Sequence, residues 1–381
     1  MVLACVFAGA PSADAQDEEE ETDGPSIEQA GFRFAVFEQE GLGVQSQANT
    51  QTSARGSEHA WIFQPMAQIQ VRQDRNATHN IAIPIDIVTA ASTDALDAIT
   101  SESRENEAGG ADVVTTVRDN DHTSYQLHIG FHFEEYWGSG SLGAAVIESF
   151  ADDNATFRAG VEVIHDSFDA LEPSGRDPGP VVSRFTSNVN ASISQLLSPT
   201  TIVSATYSFT TQFGHLETTY NSIPTATGER VADRYPRQRG RHALGGEIRQ
   251  AIPESQTYLG LSYRFYADSF GASAHTTQAT VTQYLGDLWL RGHYRFHYQD
   301  APSFWMAEAP LGLPSWAPRT ADSDLETLHA HELGLNARWF FDRHGALTWN
   351  SSFIQVGYLY YWRSNSLQSH VANVEIGLGF P

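Results

Sequence analysis

A chain of 381 residues with 41% apolar content can bury a core as one large domain or as two ordinary ones. Its formal charge of -24, from 46 acidic against 22 basic side chains, excludes nucleic acid as a partner, because gripping a phosphate backbone needs a basic face. The longest apolar run, Val2 to Ala10, is far short of the roughly 20 residues that a membrane-crossing helix requires, so helical spans are excluded as well.

In chain order, the run Val2 to Ala10 leads through Pro11 and Ser12 to Ala13-Asp14-Ala15 before Gln16, the small-x-small pattern of an export cleavage site. Residues 1–15 therefore read as a signal peptide, shortened at its N-terminus, since no basic stretch precedes the apolar run. Cleavage after Ala15 removes Cys5, the single cysteine, and leaves neither a thiol nor a disulfide. A lipoprotein site at Cys5 fits worse, because the apolar run follows the cysteine instead of preceding it. Residues 16–30, with the acidic run Asp17 to Glu21, read as a disordered, solvated leader. Phe32-Arg33-Phe34-Ala35-Val36-Phe37 has the pattern of a strand.

From about residue 59 onward, segment after segment alternates between apolar and polar residues, the period of strands with one greasy face. The alternation runs through Ile81, Ile83, Ile85 and Ile87, then Tyr125, Leu127, Ile129, Phe131 and Phe133, then Phe157, Ala159, Val161 and Val163. It returns in Phe185 to Ile193, in Leu259 to Phe265, in Leu333 to Trp339 and in Ile354 to Trp362. The clearest case is Leu288 to Gln299, with Leu288, Leu290, Tyr294, Phe296 and Tyr298 on one face and Arg291, His293, Arg295, His297 and Gln299 on the other. Links are short at 342–345, 286–287, 253–255 and 198–200, and long and polar or proline-rich at 300–324, 214–240 and 168–181. Short turns on one rim and long loops on the other are the plan of an outer-membrane barrel, not of a soluble sandwich. The chain closes on Val374, Ile376, Leu378 and Phe380 on one face, like the terminal strand that barrel-insertion machinery recognises.

The expected fold is all-β: a single antiparallel transmembrane β-barrel of about 14 to 16 strands over residues 31–381, with long extracellular loops, in the cell outer membrane. Fourteen strands are counted after residue 59. The segment at Phe32 and another at Asp112 to Arg118 leave fourteen and sixteen both open, a bacterial barrel holding an even number.

Taking the polar parity of each strand as lumen-facing, the candidate lining is Arg158, Glu162, Arg184, Glu247, Arg249, Arg264, Arg291, His293, Arg295, His297, Glu332, Arg338 and Glu375. Its basic excess predicts a weak preference for anions, although the whole chain is acidic. Arg230, Arg234, Arg237, Arg239 and Arg241 form a basic cluster late in a long loop. Pairing with nearby acids is its simplest reading, beside an inward constriction or a grip on lipopolysaccharide phosphates.

The chain has no nucleophile elbow, phosphate loop or dinucleotide fingerprint, and neither enzyme activity nor a cofactor is expected. Of the 15 histidines, His128 and His132 share a face, as do His293 and His297, but strand positions four apart are about 13 Å distant, too far for one ion. His329 and His331 stand closer, yet their face continues into Leu333 and Leu335. The Asp, Thr and Ser residues repeated over 86–115 offer oxygen ligands, but follow no calcium-loop spacing and read as turn caps. No metal site is expected.

Several short motifs share an order and spacing: Asp86-Ile87-Val88-Thr89-Ala90-Ala91-Ser92, its near copy from Asp97 to Ser103, and Asp112-Val113-Val114-Thr115. Others are Phe133-Glu134-Glu135-Tyr136, the stretch from Glu229 to Arg241, Tyr263 to Asp268 with His275-Thr276, Tyr298 to Phe304, and Ser323-Asp324. Over roughly residues 80 to 380 the chain resembles a bacterial family classed only as a domain of unknown function, whose members look like outer-membrane barrels. Such proteins tend to be encoded beside periplasmic flavin-transfer and thioredoxin-like proteins, which implies an envelope redox setting.

The expected function is a passive or gated, porin-like conduit for small polar solutes or ions. Its alternative is a plugged sleeve or docking scaffold for an envelope redox or lipoprotein partner. Membrane lipid, lipopolysaccharide and the insertion machinery are the expected contacts, with a periplasmic or lipoprotein partner under the alternative.

Overall fold

The computed structural model describes residues 24–43, 56–57, 59–90, 105–134, 136–171, 178–217, 222–341 and 352–380. The expected signal peptide, residues 16–23 of the expected leader, the second Asp/Thr/Ser copy and the expected turn at 342–345 lie outside them.

One closed antiparallel barrel is built from sixteen strands. They are β1 (Ser26–Glu40), β2 (Ala60–Arg72), β3 (Ala77–Ala90), β4 (Glu105–Arg118), β5 (Thr123–Glu134), β6 (Trp137–Phe150), β7 (Ala155–Leu171) and β8 (Pro178–Ser198). There follow β9 (Thr201–Gly214), β10 (Gln238–Ile252), β11 (Thr257–Asp268), β12 (Ser273–Leu285), β13 (Leu288–Asp300), β14 (Leu328–Phe340), β15 (Phe353–Arg363) and β16 (Gln368–Gly379). Each strand pairs with its neighbours in the chain, and β1 closes the ring on β16, with Phe32 opposite Ile376 and Phe37 opposite Val371.

The larger of the two strand numbers is the correct one, and both doubtful segments are strands. The count of fourteen after residue 59 falls one short. The missing strand, β4, carries Gly109, Gly110 and Ala111 near its middle, small residues that blur the alternation. β1 also starts before residue 31, so Ser26 to Ala30 belong to the barrel and not to the leader.

Outward positions form a continuous aliphatic and aromatic belt, exemplified by Leu127 (54% exposed), Ile129 (59%) and Leu335 (62%). A face this apolar and this large has no place in water. Closure leaves the ring without an open strand edge, so the ladder pairs backbone groups around the whole wall, interrupted beside Pro65 and Pro84. The protein is a β-barrel of the outer membrane.

One rim carries the short links 73–76, 119–122, 151–154, 199–200, 253–256 and 286–287. At the tightest, Gly286 takes a left-handed φ of 64°, which lets two residues reverse the chain between Leu285 and Leu288. The opposite rim carries 41–59, 91–104, 215–237 and 301–327, and by the usual plan of these barrels faces outside the cell. Two of these loops fold into a cap. Ser222–Pro224 pairs with Arg230–Ala232, and Arg234 and Arg319 exchange backbone hydrogen bonds of 2.9 and 2.8 Å. Ile223, Ala309 and Ala321 are buried together, and Tyr235, Phe270 and Phe304 form a second small core.

Candidate functional site

Strand register sorts the side chains. Direct partners share a face, so the column Gly245, Arg264, Thr276, His297 and Ala330 turns inward together, as do Ser262, Gln278, Arg295, Glu332 and Tyr361. The thirteen residues proposed for the lumen, Arg158, Glu162, Arg184, Glu247, Arg249, Arg264, Arg291, His293, Arg295, His297, Glu332, Arg338 and Glu375, all stand at inward positions.

On the wall from β4 to β9, polar side chains join into chains that run across the strands. His128 meets a carboxylate oxygen with each ring nitrogen, Nε2 to Asp112 Oδ1 and Nδ1 to Glu162 Oε1, both at 3.0 Å. Asn188 donates to Glu162 at 3.0 Å and accepts from Thr210 at 2.7 Å. Arg158 donates to Asn190 at 2.5 Å and to Gln126 at 3.4 Å, so its partners are amides. Nearer the outer rim, Arg184 donates to the buried Asp166 at 2.8 Å and lies 4.9 Å from the Trp137 ring centre.

On the wall from β11 to β16, Glu332 accepts from His293 at 2.8 Å and lies 3.8 Å from Arg295. His293 reaches Glu332 by lying flat over Gly334, where any Cβ would come within 2.1 Å of its ring. Arg338 donates to Gln355 at 2.9 Å, stands 3.9 Å from Glu375 and stacks 3.7 Å over Phe353. Arg249 pairs with Glu247 at 2.8 Å at the inner mouth.

Several inward charges escaped the sequence reading. Arg33 stands opposite Glu375, and Asp112, Asp166, Asp268 and Arg363 also face the lumen. Strand parity was the available signal: it marks Arg33 between outward Phe32 and Phe34, and it failed for the others, where strand ends or small outward residues hid the alternation. The same cause split the basic cluster. Arg239 and Arg241 are not loop residues, because β10 starts at Gln238 and places Gly240 and His242, not large apolar residues, on its outer face. Arg239 pairs with Asp268 and stacks 4.6 Å from Phe270. Arg230 holds the cap hairpin through Ser222 Oγ and O, both at 2.7 Å, Arg234 bridges to Arg319 through the backbone, and the Arg237 carbonyl accepts from Gly214 at 3.0 Å.

The cap is clamped to the lumen's outer mouth. Inward-facing Gln299 donates to the carbonyls of Asp324 and Glu326 at 2.8 and 2.9 Å, and inward-facing Arg363 pairs with Asp324. Two cap carboxyls are buried. Asp233 accepts from the Thr320 hydroxyl at 2.6 Å, and burial pushes it up to about 7. Burial, then the neighbouring Asp324, pushes Asp322 up to about 8.

His329 and His331 face outward, as their sequence context implies. Glu38, Glu40 and His59, at the outer rim of β1 and β2, bring ligand atoms within 4.8 Å of one another and are the described residues with spacing fit for a cation.

In shape the chain is similar to a bacterial polysaccharide outer membrane secretin, with a TM-score of 0.48 and 9% identity over 92% of this chain and 98% of that one. It is similar to a loop L8 deletion mutant of OmpT, an outer membrane protein of Vibrio cholerae, at TM-score 0.46 and 6% identity over 93% and 100% of the two chains. A third likeness is OccK5 (OpdH) of Pseudomonas aeruginosa, at TM-score 0.43 and 8% identity over 94% and 99%. No curated protein matches. Residues 86–376 match one family profile, and the chain belongs to that family, described as Protein of unknown function (DUF3570).

Proposed function

We propose that this porin-like barrel is a gated conduit for small anionic solutes. The observation that carries the reading is an imbalance in the lumen. Asp112, Glu134, Glu162, Asp166, Glu247, Asp268, Glu332 and Glu375 each lie against a histidine or an arginine. Arg264 and Arg291 are exposed to the lumen and, among the described residues, have no hydrogen-bonding or carboxylate partner. Arg295, by contrast, is engaged by Glu332. Barrels of sixteen strands are wide enough to leave an aqueous channel, where unpaired charges are screened less than those on loops.

The test is the reversal potential of the purified protein in planar bilayers under a salt gradient. Wild type should prefer chloride, and the preference should fall in Arg264→Gln/Arg291→Gln. A cation preference refutes the proposal. The folded cap over the mouth favours a second reading, a plugged sleeve that docks an envelope partner, and a well-folded preparation without conductance would select it.

A further inference from the structure

One side-chain arrangement recurs four times on the outer surface. The hydroxyls of Tyr207, Tyr263, Tyr294 and Tyr358 bond Nδ1 of His242, His275, His331 and His370 at 2.9, 2.7, 2.8 and 2.6 Å. In each case the tyrosine lies on the first strand of an extracellular hairpin and the histidine on the second, one diagonal step away. The imidazole packs against the aromatic ring two residues beyond the tyrosine: Phe209 at 4.6 Å, Phe265 at 5.2 Å, Phe296 at 5.3 Å and Tyr360 at 4.7 Å. The hairpins are consecutive, β9–β10, β11–β12, β13–β14 and β15–β16, so the histidines stand on alternate strands, about 10 Å apart along the wall.

Their height and hydrogen bonding say what they meet. Each histidine lies just inside the outer end of its strand, above Leu244, Val281, Leu333 and Val374 of the apolar belt. That is the level of lipid headgroups, where a polar aromatic is at home. Among the described residues these hydroxyls have no acceptor but the imidazole, and each lies within hydrogen-bond distance of Nδ1. With the tyrosine hydroxyl donating, Nδ1 accepts and the ring's own N–H is the one at Nε2. Among the described residues no Nε2 of the four has a hydrogen-bond partner, which leaves a row of N–H donors facing the headgroup layer. At the first pair the surface opens into a cleft of about 650 Å³, bounded by Phe209, Thr211, Gln238, Gly240, His242 and Ser269.

We propose that this row binds the phosphate groups of the outer-leaflet glycolipid, each histidine Nε2–H donating to a phosphoryl oxygen, with the cleft beside His242 seating one headgroup. The proposal rests on the membrane reading of the barrel and is independent of whether the lumen conducts.

The test uses the full mature chain in phosphatidylethanolamine vesicles doped with diphosphoryl lipid A, with lipid retention after detergent extraction read by native mass spectrometry. His242→Phe/His275→Phe/His331→Phe/His370→Phe should retain at least about tenfold less diphosphoryl lipid A than wild type, the scale of losing hydrogen bonds to a charged group. Dephosphorylated lipid should be retained equally by both. If the quadruple variant lacks heat-modifiable migration, His242→Phe and His275→Phe are measured singly, each with a smaller loss in the same direction. Equal retention of the diphosphoryl form by folded wild type and variant overturns the proposal. So does a dimer, free of lipid, that the variants dissociate, since the surface would then be an interface between copies of this chain.

Discussion

Raising the pH should loosen the cap before it touches the barrel. Asp233 titrates near 7 in the folded cap against 3.8 in an open chain, a difference of about three units, worth about 4 kcal/mol at 1.36 kcal/mol per unit. Because the folded value is the raised one, the folded cap holds the proton more tightly. This stability is fully present below about pH 4 and is lost as the pH climbs through about 7. Asp322, held near 8, extends the loss in the same direction. The backbone amides of Arg234 and Arg319, which bond each other's carbonyls across the two loops, report on the joint. Their hydrogen exchange, corrected for intrinsic rate, should be at least about tenfold less protected at pH 9 than at pH 5. Asp233→Asn keeps an acceptor for Thr320 without a charge and should flatten that dependence. Protection that does not change with pH, or that falls as steeply in the asparagine variant, would refute the reasoning.

Gly334→Ala should push His293 off Glu332 and destabilise the barrel by about 1–3 kcal/mol, read as a lower temperature for the gel-mobility shift; Gly292→Ala, whose Cβ would meet Leu335 at an ordinary 3.5 Å, should leave that temperature unchanged. Arg184→Leu strands the buried Asp166 carboxylate and should cost about 3–5 kcal/mol, whereas Arg184→Leu/Asp166→Leu should recover most of the loss; equal loss in both would mean that packing, not charge, dominates. Epitope tags within 215–237 and 301–324 should be labelled on intact cells and a tag at Gly286-Asp287 should not, and labelling of the latter from outside would invert the topology.

Where both faces of a strand declare themselves, as along Leu288 to Gln299, the sequence shows the barrel wall and the orientation of nearly every side chain. The signal fades when outward positions are small or polar, which is why β4 and the first residues of β10 hid behind Gly109, Ala111, Gly240 and His242. Register lies deeper. That His128 bridges Asp112 and Glu162 follows from how three separate strands slide against one another past Gly143, a matter of turn geometry that alternation does not encode. The cap was least legible, since its core is assembled from isolated apolar residues, Ile223, Ala309 and Ala321, scattered through stretches that read as polar loop.

The seam between β1 and β16 joins Phe32 to Ile376, partners about 340 residues apart, and closing a loop that long costs about 5 kcal/mol of chain entropy. No single rung of that ladder offsets such a cost, so the seam must zip along much of its length or stay open. The two ends of the polypeptide thus act as one latch: a chain cut short at either end loses more than a strand, because it exposes two ragged margins where the complete ring has none. Assembly is accordingly a commitment made last, and shedding a terminal strand should yield an insertion failure in place of a slightly smaller barrel.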